Sequence, residues 1–370
     1  MKDKIRIMFA MGGSMKRAGA ETMIMQYLRQ LVKDPLFSFS ILVHGDDKGD
    51  YDDEIHALDV PIYHVPVRGK HPFTYDRAVA KVLYSHPVDI VHCNMDQASG
   101  HFLKIAQKCG IPIRIAHSHT TRILTQNIIK RILGSISKKE IHYTATHRLA
   151  CTQQAGDWLF GADPYKIVNN AIDLDAYKFS EEQRIKLRKE LRIEKDAFLI
   201  CHIGSFTYPK NHKGLLHIFK EVKKVRPNSK LVLAGAGPMM EQIKLLAVEL
   251  GIQDDTIFLG VYPNIPALLQ AADAFVMPSL MEGLPVAGIE AQAAGIPCLF
   301  ADTITSKICI TPMAERIPLE SASNWVERLA NLQPFRDDKT AQCSLTKHGY
   351  NIKKEAEKLG DFYGNIMADR

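Results

Sequence analysis

The chain predicts an α/β fold of two doubly wound parallel sheets. Three observations carry this. Short apolar runs alternate with amphipathic helical stretches along almost all of the 370 residues, the pattern of strands crossed over by helices. The alternation stops in a polar, turn-rich segment at 168–182, VNNAIDLDAYKFSEE, and then restarts. The glycine-containing and polar motifs fall just after apolar runs, where open parallel sheets hold their ligands.

In the first half the expected strands are 4–10 (KIRIMFA), 38–43, 88–92 and 112–116, with helices near 20–33, 74–85 and 98–109. In the second half strands are expected at 197–204, 229–235, 256–259, 274–277 and 297–300. Helices fall near 212–225, 238–250, 263–271 and 285–294, and a charged helix at 181–193 leads into the second sheet. The last residues, 347–370, read as one amphipathic helix. The expected domains are therefore 1–168 and 169–346, joined by the hinge at 168–182. No internal repeat or low-complexity tract interrupts them.

Composition narrows the function classes. A length of 370 residues suits two domains with a core each. A formal charge of +6 is modest for this size; it speaks against a dedicated nucleic-acid binder and fits acidic lipid or nucleotide substrates. The start, MKDKIRIMFAMGG, is a strand and a glycine turn rather than a signal peptide, and no run approaches the length of a membrane span. The expected place is the cytoplasm, free or peripheral on the inner face of the cell membrane. Seven scattered cysteines without a Cys-x-x-Cys read as reduced thiols.

The most telling motif is EGLPVAGIE at 282–290. Glu282 falls in a strand-to-helix loop, and Pro285 suits the first helical position. Glu290 then lies within the helix. Its N-terminus, with free amides and partial positive charge, suits a diphosphate. The two carboxylates suit sugar or ribose hydroxyls. This element resembles the Glu-x7-Glu of the retaining glycosyltransferases of family 4, which have the GT-B fold: two Rossmann-like domains facing across a cleft, with a C-terminal helix returning to the first. Four further motifs are similar to that family in the same order.

The first is GGSMKRAGAE at 12–21. It breaks the G-x-G-x-x-G pattern, which disfavours a dinucleotide, while Gly13 and Gly19 permit close backbone approach. The family has Gly-Gly-Ala-Glu here; this chain has Ala18-Gly19-Ala20-Glu21. The second, IAHSHTT at 115–121, offers two candidates for the family's strand-end histidine: His117, which follows the apolar run most directly, and His119. The third is GSFTYPKNHKG at 204–214. Lys210 matches the diphosphate-gripping lysine, but Ser205 stands where the family has an arginine, whose bidentate contact is stronger. The fourth is LAGAGPMME at 233–241, in which Gly237 leaves room for a nucleotide or packs the turn. In the FLGVYPN that follows it, Val261 and Tyr262 are the candidates beside the base.

The resemblance implies transfer of a sugar from a nucleotide diphosphate donor, with a UDP-sugar as first expectation. The acceptor would be a glycan or lipid-linked glycan of a bacterial capsule or exopolysaccharide. Glu282 with the amides of Gly283 and Leu284 would hold the sugar, and Glu290 the ribose. No cofactor or metal is implied: the triplets Asp50-Tyr-Asp52 and Asp173-Leu-Asp175 follow no strong strand. Six Lys/Arg lie between 116 and 148 against Glu140 alone, interleaved with Ile and Leu. Such a segment, 122–139 above all, either lies on an anionic membrane or covers a buried stripe with a solvated face. The rival class is a non-catalytic nucleotide-sugar or glycan binder, with Ser205 as its mark.

Overall fold

The computed structural model describes residues 4–121 and 128–369, with side chains from 131 onward in the second stretch. The chain forms two compact units, Met1–Ala171 with Ile352–Arg370, and Ile172–Asn351.

The first unit holds β1 (Ile5–Met11), β2 (Phe37–His44), β3 (Ile62–Val65), β4 (Ile90–Asn94), β5 (Ile113–Ser118), β6 (His147–Ala150) and β7 (Lys166–Ile167). Their order is β3-β2-β1-β4-β5-β6-β7, all parallel. The period of two sends successive residues to opposite faces. Ile7, Phe9 and Met11 face one core, with the helices Gly19–Leu31 and Ile352–Ala368. Met8 and Ala10 face the other, with Phe102 and Leu103. Burial on both sides explains why these strands read as continuous apolar runs.

The second unit repeats the plan with β8 (Phe198–Ile203), β9 (Ser229–Ala234), β10 (Thr256–Gly260), β11 (Ala274–Met277), β12 (Cys298–Ala301) and β13 (Ala314–Ile317). The order β10-β9-β8-β11-β12-β13 again reverses direction beside its first strand. The charged helix, Glu181–Glu190, has little apolar surface of its own. It is anchored instead by Arg184 and Arg188, each 2.6 Å from a carboxylate oxygen of buried Asp273.

Four strands escaped sequence reading: β3, β6, β7 and β13. Three of these are sheet edges, with one residue fully buried in β3, none in β7 and one in β13. An edge strand needs less apolar sequence, so its pattern is faint. The expected terminal helix at 347–370 is also corrected. Gly349, at φ +82°, ends one helix (Asp338–Lys347), and a second (Ile352–Ala368) packs in the first unit through Ile352, Ala356, Leu359 and Tyr363. Ile172 and Asn351 pair where the chain enters and leaves the second unit. Four of the seven cysteines are buried, and all are free thiols.

Candidate functional site

In a doubly wound sheet the crevice opens where strand order reverses, outside the carboxyl ends of the two central strands. In the second unit that point lies between β8 and β11, so the loops after them, 204–211 and 278–285, define the site. Lys210 comes from the first loop and Glu282 from the second, and their side chains form an ion pair, both largely buried. The backbone draws the loops together: the Leu280 amide donates to the Pro209 carbonyl at 2.7 Å. Asn211 adds a second tie. Held in the left-handed region at φ 55°, it caps the helix His212–Val225 through Gly214 and donates to the Pro278 carbonyl at 2.9 Å.

Ser279, fully buried, lies 3.5 Å from Glu282 Oε1. Gly283 has open space where a side chain would stand, and Leu284 is half-buried beside it. Pro285 is the cap rather than the first residue of the helix Val286–Ala293, because its ψ of 124° is still extended. Glu290 accepts a hydrogen bond from the Tyr177 hydroxyl at 2.8 Å. Burial pushes the Glu290 carboxyl above the ordinary range, and that hydrogen bond pulls the other way. Tyr177 sits 113 positions away in a short turn, Leu174–Tyr177, with no sequence signal for this partnership.

The loop after β9 packs against the first. A side chain on Gly235 would meet the Gly204 carbonyl oxygen at 2.0 Å, and one on Gly237 the Phe206 carbonyl oxygen at 2.5 Å. For Gly237 the packing alternative is the observed one: its missing side chain is filled by backbone. Val261 is exposed, whereas Tyr262 leans on the core. Ser205 is exposed, with its hydroxyl 3.3 Å from that of Thr207. Beneath these loops, buried His202 and His212 meet edge to face at 4.8 Å, and burial holds them down to about 4 and about 3.

The corresponding crevice of the first unit lies between β1 and β4. Gly13 and Gly19 both have open space above them, and Gly19 begins the helix Gly19–Leu31 with no side-chain cap. Asp96, in the left-handed region at φ 47°, accepts from the His119 and Thr120 amides at 2.7 and 3.1 Å. The preference between the two histidines reverses. His117 points into the protein, fully buried, in a chain from Tyr363 through His92 with contacts of 2.6 and 2.9 Å. His119 is the part-exposed one, its Nε2 2.9 Å from Asn94 Oδ1. His117 lies within β5, whose last four residues are all buried, whereas His119 lies just past its end. Asn94 and Asp96 were missed because a single amide or carboxylate after a strand has no motif of its own.

The aspartate triplets serve their loops. Asp52 accepts from the Gly49 amide, Asp50 from the Arg17 amide and Asp173 from the Asp175 amide.

Family models match both units: Glycosyltransferase Family 4 over residues 17–176 and Glycosyl transferases group 1 over 183–311. EpsF of Bacillus subtilis (strain 168), which is named as a glycosyltransferase, is 34% identical over 99% of this chain and 97% of its own length. The chain belongs to this glycosyltransferase family. Another relative of this glycosyltransferase is the Escherichia coli UDP-Gal:alpha-D-GlcNAc-diphosphoundecaprenol alpha-1,3-galactosyltransferase, 25% identical over 78% of this chain and 79% of its own. The crystal structure of Anabaena Alr3699/HepE in complex with UDP has the same GT-B fold. It superposes with a TM-score of 0.79 at 18% identity, over 98% of this chain and all of that one. In this glycosyltransferase the group 1 match contains Lys210, Glu282 and Glu290, and the family 4 match contains Gly19, His117 and His119.

Proposed function

We propose that this glycosyltransferase moves a hexose, with retention at the anomeric carbon, from a UDP-sugar to a glycan or lipid-linked glycan in cell-surface polysaccharide assembly. The observation that carries the reading is the Lys210–Glu282 ion pair across the switch point of the second unit. A diphosphate arriving there draws the Lys210 ammonium to itself and frees Glu282 for sugar hydroxyls. As the bond to the leaving phosphate breaks, Lys210 and the amides at the helix start after Glu282 oppose the growing negative charge, and a fixed charge in a water-poor site needs no reorganisation. Glu290, steadied by Tyr177, takes the ribose. Gly283 and Leu284 supply amides to the sugar, and Ser205 a hydroxyl to the diphosphate, while Val261 and Tyr262 border the base.

In this reading the second unit binds the donor and the first the acceptor, with Gly13, Gly19 and His119 at its edge. No cofactor and no metal take part, since Lys210 and the helix end neutralise the diphosphate. The E. coli relative's name, with its UDP-galactose donor and its diphosphoundecaprenol acceptor, supports the donor and acceptor classes. The acceptor class also favours work at the inner face of the cell membrane through the 122–139 segment, of which 122–127 lie outside the described residues. Among the described residues no helix is long and apolar enough to cross a membrane.

The second reading, a binder without transfer, is favoured by Ser205, whose exposed hydroxyl lies 3.3 Å from that of Thr207. Calorimetry with UDP, GDP, ADP and their sugars, with and without EDTA, tests both. EDTA-insensitive binding of UDP together with turnover of its sugar supports the transferase. UDP binding with neither transfer nor donor hydrolysis supports the binder, and no binding of any of them sinks the transferase and leaves a glycan binder.

A further inference from the structure

His119 carries an amide, a carbonyl and two ring nitrogens, and the first unit engages all of these but one. Its amide donates to Asp96 Oδ1 at 2.7 Å, and its carbonyl accepts from the Cys151 thiol at 3.7 Å. Its Nε2 lies 2.9 Å from Oδ1 of Asn94, the buried last residue of β4. Its ring rests against that of buried His117, with centroids 4.2 Å apart. The remaining group, Nδ1, has no partner among the described residues, and the residue is half-buried at the crevice edge.

The partners of Asn94 decide where the ring proton sits. The Asn94 amide nitrogen donates to the His92 carbonyl at 3.1 Å, so its oxygen is the atom turned to His119. An amide oxygen only accepts, so Nε2 carries the proton and Nδ1 of the neutral ring is left as a lone pair. Burial holds His119 below the ordinary imidazole value, against the opposite pull of Asp96, and so favours that neutral form. The neighbours are acceptors too. Asp96 spends one oxygen on the His119 and Thr120 amides, and its other has no partner among the described residues. Burial raises the Glu21 carboxyl, and the charge of Asp96 adds to the rise. A lone pair beside two carboxyl groups suits a hydroxyl and repels a phosphate.

We propose that Asn94 is a positioning residue, which fixes the Nε2–H form of His119 so that Nδ1 accepts from a sugar hydroxyl of the acceptor and turns a phosphate away. Any phosphate of a lipid-linked acceptor then lies away from His119, and the sugar next to it is what this edge reads. The role deepens the reading of the first unit as the acceptor half and rests on it for the origin of the hydroxyl. The place of the proton stands on the contacts of Asn94 alone.

The test is nitrogen NMR of the full chain labelled at its histidine rings, with the His119 signals assigned by their loss in His119→Asn. The parent should show a neutral ring with the proton on Nε2 and a bare Nδ1. Asn94→Leu, similar in size, should give a mixture of the two neutral forms. Asn94→Asp should keep the proton on Nε2 and raise the folded value of His119 by about one pH unit or more, since it adds a negative charge. His117, His92, Asp96 and Cys151, which also face or act on the ring, are the same in both variants. The aspartate variant decides the matter if the unfolding temperature shows that the leucine variant does not fold. A proton on Nδ1 in the parent, or no change in either variant, overturns the role of Asn94. Methyl glycosides of glucose, galactose and N-acetylglucosamine should move the Nδ1 signal, about tenfold less tightly in Asn94→Leu, and pyrophosphate should not. Movement by pyrophosphate, or by no glycoside, overturns the hydroxyl contact. The expected signals in a protein that binds no UDP by calorimetry would instead sink the transferase reading and leave the role of Asn94 standing in a glycan binder.

Discussion

The loops at the two switch points differ in how they are held. In the second unit they are tied to one another: Gly235 and Gly237 press on the backbone of 204–206, Leu280 bonds Pro209, and Lys210 and Tyr177 hold Glu282 and Glu290. In the first unit Gly13 and Gly19 have open space above them, and His119 and Asp96 form a small polar group at the edge. A cradle whose charges are already placed suits a ligand of fixed chemistry, since little ordering is needed on binding. Open glycines suit a ligand whose shape varies from one enzyme to the next. Under the proposed function, the difference fits a donor half that is preformed and an acceptor half that adapts.

Lys210→Met should break the cradle most severely. Removing a fixed charge from the leaving group should lower transfer about a hundredfold or more, read as initial rates at saturating acceptor. A loss of only severalfold would mean that the diphosphate sits elsewhere.

Substituting the glycines contrasts the two halves directly. Gly237→Ala pushes a methyl into the Phe206 backbone and should cost about 1–3 kcal/mol of stability in urea titration. Gly13→Ala meets nothing and should leave stability unchanged. If Gly13→Ala lowers transfer while folding normally, ligand fills that space; equal destabilisation by both variants would erase the contrast.

Glu290→Gln should lower transfer about tenfold through one or two lost ribose hydrogen bonds of about 1–1.5 kcal/mol each. It also has a pH signature. Because burial raises the folded-state carboxyl, its stabilising contribution is present at low pH and lost as pH rises through the folded value. The stability of the glutamine variant relative to the parent should therefore be greater at pH ~7 than at pH ~4. No pH dependence of that difference would place Glu290 in water rather than in the cradle.

The smallest effect on transfer concerns the buried histidines of both units. His92 is held down to about 3 and His202 to about 4 by burial, so both stay neutral in the folded protein. With depressed folded values, each contributes stability above the unfolded value of about 6.5. That stability is lost by up to about 1.4 kcal/mol per pH unit as pH falls below it. His92→Gln should flatten the acid limb of a stability profile, and Tyr363→Phe, at the far end of the chain to His117, should cost about 1 kcal/mol without changing transfer.

Much of this site was legible one element at a time. Lys210, Glu282 and Glu290 lie after strands that announce themselves by apolar runs, and the helix at 212–225 was legible to the residue. The partners were not legible. Tyr177 reaches Glu290 across 113 positions, and no local pattern records which turn will lie over which helix. The histidine pair at 117 and 119 shows the same limit. The two are spaced alike in the sequence, and only the end of β5 at Ser118 and the packing of His92 and Tyr363 show that His117 lies inside and His119 at the edge.

The sequence by itself determined the parallel α/β class, the two sheets and the order of the motifs, because apolar period and turn chemistry act over a few neighbouring residues. Only the tertiary structure decided the edge strands, the pairing of Lys210 with Glu282, and the outward isoleucines of the helix Ile128–Thr144. These depend on which surface each element meets. For that helix the meeting was won by Ser137 and Gly100, whose small size lets two backbones approach more closely than isoleucine would allow.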